Sequence, residues 1–200
     1  YYEAAQSYER ALALWDMVPA AARPEDVDHV ELLYETSGTL LTATDAMRGR
    51  EVARAAVAAV DPDREPLRAA RLEERLAWAV YLTGDLAEGI AIMERTTVRL
   101  ADQPPSVEAA GCLATLATFT LYGGRYSDAV HIAERTIAMS VASGTERREI
   151  EGMGALGAAL ALEGDCDRGL AVLREALAKA KVHGDPIAIG MTYLFISHDL

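Results

Sequence analysis

A short motif returns along this chain at a constant interval. It is clearest as Gly84-Asp85-Leu86-Ala87-Glu88-Gly89, and related segments begin at residues 44, 124 and 164, one every 40 residues. A fixed period of roughly 20–50 residues is typical of solenoids, in which each repeat packs mainly on its neighbours. The interval therefore predicts an array of similar units.

The residues of this motif suit the turn between two helices. Gly84 can end a helix in the left-handed conformation, where a Cβ would be unfavourable. Asp85 can cap the next helix, and Glu88 three residues later fits a capping box. Gly89 is Gly or Ala in the other copies, although Gly costs about 1 kcal/mol relative to Ala inside a helix. Its recurrence indicates that two helices cross closely.

The first copy departs from the others. It has Thr44 in place of the turn glycine, and Arg50 stands where the later copies are apolar. We expect this repeat to deviate most in shape, and we expect Thr44→Gly to be neutral or mildly stabilising.

Composition favours helices and excludes several classes of protein. Hydrophobic residues make up 51% of the chain and aromatic residues only 6%, so the core is built from Ala, Leu and Val. A net charge of −12 disfavours direct binding of nucleic acid. The chain contains no run of about 18 apolar residues, so we predict no membrane span. The only cysteines, Cys112 and Cys166, show no pairing pattern, which fits a reducing cytoplasm.

The pattern predicts an all-α solenoid of about ten helices in antiparallel pairs, with a 40-residue period. We expect one array from 1 to 200, and since the chain lacks an initial Met and stops within an apolar periodic segment, we expect it to be a fragment of a longer protein. Its predicted parts are the end of a preceding repeat (1–18), a degenerate repeat (26–61), three full repeats (66–102, 106–143 and 146–183) and the first helix of a further repeat (186–200).

Two neighbouring columns of the aligned repeats predict the helix packing. One column is always small: Ser37, Ala77, Ala117, Gly157 and Ser197. The column before it is larger: Thr36, Leu76, Leu116, Leu156 and Ile196. A large residue beside a small one allows adjacent helices to interlock at short range.

These residues carry a family resemblance. Leu156-Gly157, Gly164-Asp165, Gly169, Leu173 and Ala176 follow the spacing of tetratricopeptide repeats (TPRs), which the chain resembles over its whole length. The resemblance implies a right-handed superhelix whose concave face binds a partner. Here the repeat is 40 residues long, against about 34 in the standard unit. Longer repeats of this kind resemble the sensor arrays of large bacterial ATP-dependent regulators of the LuxR and MalT type.

The resemblance implies a groove lined by the first helix of each pair. Its predicted lining residues are Tyr34, Arg71, Glu74, Trp78, Tyr81, Thr118, Tyr122 and His198. Such a mostly uncharged aromatic surface suits a helix, an extended peptide or a small apolar effector. Each ring could instead fill a gap between Ala-rich helices, and the sequence leaves both interpretations open.

The sequence predicts no catalytic, metal or cofactor site, and we expect no enzymatic activity. It contains no phosphate-binding Gly-x-x-x-x-Gly-Lys-Ser/Thr loop and no Gly-x-Ser-x-Gly motif. Its four histidines lack the His-x-x-x-His spacing of metal sites. The leading hypothesis is a non-catalytic, cytoplasmic scaffold that binds a protein, a peptide or a small effector within a larger bacterial regulator.

Two alternatives remain open. The chain could be an accessory helical domain of a signalling ATPase. It could also be a module for self-association, as a homodimer through the apolar residues of the last helix, which are Ile187, Ile189, Met191, Leu194, Phe195 and Ile196.

Overall fold

The computed structural model describes residues 2–24, 27–43 and 45–198. For Asp16, Ala20 and His198 it describes the backbone alone. In this part of the chain there are ten α-helices, one 3₁₀ turn and no strand. The helices are α1 (Tyr2–Met17), α2 (His29–Thr42), α3 (Ala46–Ala58), α4 (Pro66–Leu82), α5 (Leu86–Arg99), α6 (Val107–Tyr122), α7 (Tyr126–Ser143), α8 (Glu146–Glu163), α9 (Cys166–His183) and α10 (Pro186–His198). The all-helical prediction is confirmed.

The chain divides into two compact units, Tyr1–Ile92 and Met93–Leu200, called here the N-terminal and C-terminal units. The N-terminal unit contains α1 to α4, and its core lies between α1, α2, α3 and the start of α4. In the C-terminal unit α6 to α10 form successive layers, with apolar clusters shared by neighbouring helices. Helix α5 contains the boundary between the units.

The turns follow the predicted chemistry, with one correction. Gly84, Gly124 and Gly164 have positive φ, and the side chain of Asp85 accepts a hydrogen bond from the backbone amide of Glu88 at 2.9 Å. The amide of Asp85 donates to the carbonyl of Val80, and the carboxylate of Glu88 accepts from two arginines. The prediction of a capping box is therefore half wrong, because Glu88 binds arginine side chains while the Asp85 amide closes the preceding helix.

The irregular first copy is held by one of these arginines. Arg50 donates to Glu88 Oε2 at 2.5 Å and to Thr83 Oγ1 at 2.9 Å, so α3 is tied to the turn between α4 and α5. Arg54 donates to the other oxygen of Glu88. A polar residue thus occupies a position that is apolar in later copies. Its two terminal nitrogens are hydrogen-bonded, whereas its buried Nε has no hydrogen-bond partner in the described part of the chain. Thr44, and the Thr44→Gly prediction with it, lies outside the described residues.

The small column lies where helices touch. Ser37, Ala77, Ala117 and Gly157 are buried, whereas Ser197 is exposed. In the N-terminal unit, a Cβ built on Gly49 would lie 2.9 Å from Leu41 Cδ2 and 3.3 Å from the Ser37 carbonyl oxygen. Real Cβ atoms essentially never show the first separation, and the second is tighter than nine in ten real Cβ contacts, so α2 and α3 cross closely at Gly49.

Candidate partner-binding surface

In the N-terminal unit, side chains 40 residues apart on α2 and α4 face one another as ion pairs. Arg71 donates to both carboxylate oxygens of Glu31, at 3.0 and 2.7 Å. Arg68 donates to Asp28, which also caps α2 by accepting from the amides of Val30 and Glu31. The sequence predicts that this helix begins near residue 26, but the Asp28 cap makes His29 its first residue. The 40-residue period thus aligns acidic residues at the start of α2 with arginines of α4.

Tyr34 is the centre of this surface. The guanidinium carbons of Arg71 and Arg75 lie 3.9 and 4.3 Å from the centroid of its ring, well within the range of cation–π attraction. Burial disfavours the charged form of Arg71, but hydrogen bonds to Glu31 and Tyr34 outweigh it and raise its pKa above the ordinary value. The Arg71 side chain is therefore a fixed positive charge beside the ring.

Arg75 has a position that sequence reasoning missed. A Cβ on Gly38 would lie 2.5 Å from Arg75 Nη1 and 3.0 Å from Arg75 Cζ, so the guanidinium rests in the space that this glycine leaves on α2. Within the described part of the chain, Arg75 forms no ion pair with a carboxylate. The signal was present in the sequence: Arg75 follows Arg71 by one helical turn, and Gly38 follows Tyr34 by the same interval.

The predicted aromatic residues continue this stripe along α4. Trp78 and Tyr81 are partly buried, and their rings meet edge to face with centroids 5.8 Å apart. Glu74, on the same helix, is buried. Since positions 71, 75, 78 and 81 recur at helical spacing, their side chains share one side of α4. The α2–α4 surface is defined here as Glu31, Tyr34, Arg71, Arg75, Trp78 and Tyr81.

The remaining predicted residues belong to the C-terminal unit. Thr118 is buried, and its hydroxyl donates to the carbonyl of Ala114 at 2.9 Å. Tyr122 ends α6 and is 36% exposed. The side chain of His198 lies outside the described part of the structure. In α6 every residue from Ala109 to Leu121 is buried. Of the two groove residues predicted in this helix, Thr118 and Tyr122, only Tyr122 is therefore accessible to a ligand.

A second concave feature lies between α1, α2 and α3 and was not predicted. It is an open cleft of about 900 Å³, with charged walls and an apolar floor that includes Leu33 and Val52. At its rim Arg48 joins Glu9 at 3.2 Å and Glu51 at 2.9 Å. These opposite charges neutralise one another, so the cleft favours neither anionic nor cationic ligands.

Among the described residues, no group of three or more His, Cys, Asp or Glu side chains could hold a metal ion. In the same portion of the chain, no helix is both long and apolar enough to cross a lipid bilayer.

Solved structures share this fold. The nearly identical TPR-like repeats of a kinesin light chain from Podosopora anserina superpose with a TM-score of 0.69 at 16% identity, over 92% of this chain and 89% of that chain. Aspartyl phosphate phosphatase F from Bacillus subtilis gives 0.73 at 14% identity, over 96% and 49%. A Rap protein complexed with Competence and Sporulation Factor gives 0.70 at 11% identity, over 98% and 58%.

These likenesses show the fold alone, because all three identities are low. The chain is a TPR-like helical repeat array, and it spans only about half the length of the phosphatase and of the Rap protein. No model of a known protein family and no curated protein matches it.

Proposed function

We propose that the chain is a binding scaffold and that its α2–α4 surface holds a peptide segment of a partner protein. The observation that carries this proposal is the stack of Arg71 and Arg75 on Tyr34. Arg71 is committed to Glu31, whereas Arg75 keeps its charge without a carboxylate partner in the described residues. An acidic side chain of the peptide would bind Arg75 with charge-assisted hydrogen bonds.

The rest of the α2–α4 surface indicates which side chains the remainder of the peptide should carry. Trp78 and Tyr81 stand one and two turns beyond Arg75 and offer partly exposed ring surface. Aromatic rings of this kind are the usual anchors for apolar side chains at protein interfaces. The favoured ligand is therefore an acidic residue followed by one or more apolar residues. A small effector with a carboxylate and an apolar body would satisfy the same groups.

We also propose a biological setting, which the resemblance suggests. We place the array in the cytoplasm, as the sensing or interaction segment of a larger bacterial regulator of the LuxR or MalT type. In that setting, binding of the partner would change the conformation of the array, and the segment itself would not catalyse a reaction. Support comes from the TPR-like fold and from a neighbour whose structure contains Competence and Sporulation Factor. Another neighbour is named a phosphatase, but a likeness at 14% identity transfers only its fold.

The test is a selection of peptides followed by calorimetry. A random peptide library is displayed and selected on the immobilised chain, and each enriched peptide is titrated into the wild-type chain and into Arg75→Ala and Tyr81→Ala. We expect each substitution to weaken binding at least about tenfold, the equivalent of about 1.4 kcal/mol.

Two substitutions serve as matched controls. Arg135→Ala and Tyr2→Ala remove the same side-chain types from exposed positions on α7 and α1, and we expect both to bind as the wild type does. Enrichment of no peptide, or equal affinity for wild type and Arg75→Ala, would contradict the proposal. Circular dichroism of every variant confirms that the loss is not a loss of folding.

A further inference from the structure

Gly38 belongs to the column of the aligned repeats that contains three of the predicted groove residues. In the first helices of the successive pairs, this column consists of Gly38, Trp78, Thr118, Ala158 and His198. Gly is among the least favourable residues inside a helix, yet Gly38 lies within α2 and its φ is outside the left-handed region. The backbone therefore does not require a glycine here, and the reason for it lies in what packs on it.

The guanidinium of Arg75 packs on Gly38. A Cβ built on Gly38 would have its three nearest atoms in this group, with Nη1 at 2.5 Å, Cζ at 3.0 Å and Nη2 at 3.3 Å. The whole guanidinium, and not one nitrogen alone, thus occupies the space. Gly49, Gly157 and Gly169 face apolar side chains or the backbone of a packed helix. Gly38 therefore makes room for a charged side chain, whereas those three glycines let two helices cross.

Tyr34 provides the second contact of the same guanidinium. It precedes Gly38 by one helical turn, so both residues lie on one side of α2, and Arg75 Cζ is 4.3 Å from the centroid of the Tyr34 ring. Arg75 is partly exposed, so a ligand can reach it while these contacts hold it. A side chain that is held before binding loses less conformational freedom when the ligand arrives. The free chain therefore already presents Arg75 in a fixed position.

We propose that Gly38 positions Arg75 on the α2–α4 surface so that its guanidinium receives a single carboxylate of the partner peptide. This inference rests on the function proposed above, and it adds the residue that shapes the site and the kind of acid that the site takes. A methyl group at position 38 would overlap the guanidinium. Because the guanidinium ends a flexible side chain, it would leave the Tyr34 ring while α2 and α4 stay packed.

The charges beside Arg75 favour a carboxylate over a phosphate. Arg71 also lies on the Tyr34 ring. It is paired with Glu31 at 2.7 Å and lies 4.0 Å from Glu35, so of these two arginines only the charge of Arg75 remains for a ligand. A phosphate group carries about −1.5 to −2 charge at pH 7 and is usually bound by a cluster of arginines. A carboxylate carries a single charge and matches one planar guanidinium.

NMR of the wild-type chain and of Gly38→Ala, both without peptide, tests the positioning of Arg75. Protons held over an aromatic ring are shifted upfield by its ring current. We therefore expect upfield side-chain N–H protons of Arg75 in the wild type, assigned by their absence in Arg75→Ala, and a loss of this shift in Gly38→Ala. Gly190→Ala adds the same methyl group where no atom lies within 4 Å and should leave the signals unchanged. Equal shifts in wild type and Gly38→Ala would overturn the role of Gly38 even if the surface binds peptides.

Calorimetry with the selected peptides tests the consequence for binding. Gly38→Ala should weaken binding at least about tenfold, although its thermal midpoint should equal or exceed that of the wild type because Ala is the better helix former. Since Gly38 acts through Arg75, the double variant should bind no more weakly than Arg75→Ala alone. Additive losses, or wild-type affinity of Gly38→Ala, would overturn the proposal. A lost NMR shift without any selected peptide would retain the positioning of Arg75 and contradict its carboxylate ligand together with the proposed function.

Three synthetic forms of one selected peptide test the kind of acid, with Glu, Gln or phosphoserine at its acidic position. We expect the Gln form to bind at least about tenfold more weakly than the Glu form, and the phosphoserine form to bind no more tightly than the Glu form. Tighter binding of the phosphoserine form would overturn the choice of a carboxylate and indicate a phosphate site. Equal affinities of the Glu and Gln forms would show that the surface does not bind a charged acid, which would also overturn the proposal.

Discussion

Gly169 of α9 lies directly against Gly157 of α8: a Cβ built on Gly169 would be 2.6 Å from the Gly157 carbonyl oxygen. In return, a Cβ on Gly157 would lie 2.6 Å from Leu173 Cγ and 2.9 Å from the Gly169 carbonyl oxygen. Real Cβ atoms essentially never approach this closely. The two helices therefore cross with backbone against backbone, which explains a glycine inside each despite its low helix propensity.

The first prediction concerns this crossing. Gly157→Ala and Gly169→Ala should each destabilise the chain by about 1–3 kcal/mol, because the added methyl group forces the helices apart. The matched control is Gly190→Ala in α10, where the methyl group meets no atom and the higher helix propensity of Ala should stabilise by up to about 1 kcal/mol. Urea unfolding measures all three. Equal midpoints for Gly157→Ala and Gly190→Ala would show that the crossing is looser than described.

Overpacking of the small column is the second prediction. Ala77 and Ala117 are fully buried, so Ala77→Leu and Ala117→Leu should lower the free energy of unfolding by about 1–3 kcal/mol, as added methylenes force the surrounding side chains from their rotamers. Ala87→Leu makes the same change at an exposed position of α5 and should have little effect. An unchanged urea midpoint for both column variants would mean that these positions tolerate larger side chains.

The helices and the crossing were predictable because their causes are local and repeated. Gly84, Gly124 and Gly164 mark the turns by themselves, and the small column is visible once copies are aligned. The partners of Glu88 were not predictable, because Arg50 and Arg54 reach it from the preceding helix pair. For Arg75 the sequence supplies only the spacing to Arg71 and that of Gly38 to Tyr34, because the contact of its guanidinium with the space at Gly38 depends on how α4 packs on α2.

The third prediction places Trp78 between core and surface. Its ring is partly buried and packs on the edge or face of Tyr81, so Trp78→Ala should cost about 2 kcal/mol, less than the roughly 3–5 kcal/mol typical of a fully buried Trp. The thermal midpoint of a chain of this size should then fall by about 4–8 °C. Leu82→Ala, at an exposed neighbouring position, should change it by less than about 2 °C. A fall beyond about 12 °C would assign Trp78 to the core and remove it from the α2–α4 surface.

The fourth prediction concerns the start of α10. Asp185 caps this helix by accepting hydrogen bonds from the amides of Ile187 and Ala188 at 2.9 and 3.2 Å. Burial acts to raise the pKa of this carboxyl, but the two amides and the charge of Arg147 outweigh it and hold the pKa below the ordinary value of 3.8. A carboxyl of this kind makes its full contribution to stability at pH values above the pKa that it has in the unfolded chain. The contribution is lost as the pH falls through the lower pKa that it has in the folded chain.

We therefore expect Asp185→Ala to cost about 0.5–2 kcal/mol at neutral pH, and the difference from wild type to shrink as the pH falls below about 4. Asp185→Asn retains a capping oxygen without the charge and should lose less at neutral pH. Thermal unfolding at several pH values measures both. A difference between Asp185→Ala and wild type that is constant from neutral to strongly acidic pH would contradict the role of the ionised carboxylate.

The central claim is that a partner peptide lies on the α2–α4 surface, and hydrogen–deuterium exchange tests it most directly. Exchange of the wild-type chain is compared with and without a selected peptide at a concentration close to its wild-type Kd, at which a tenfold weaker variant stays about nine-tenths free, and the same pair is measured for Arg75→Ala. The account predicts slower exchange in α2 (His29–Thr42) and α4 (Pro66–Leu82), with this protection lost in Arg75→Ala. Protection confined to the C-terminal unit, or equal protection in the variant, would contradict it.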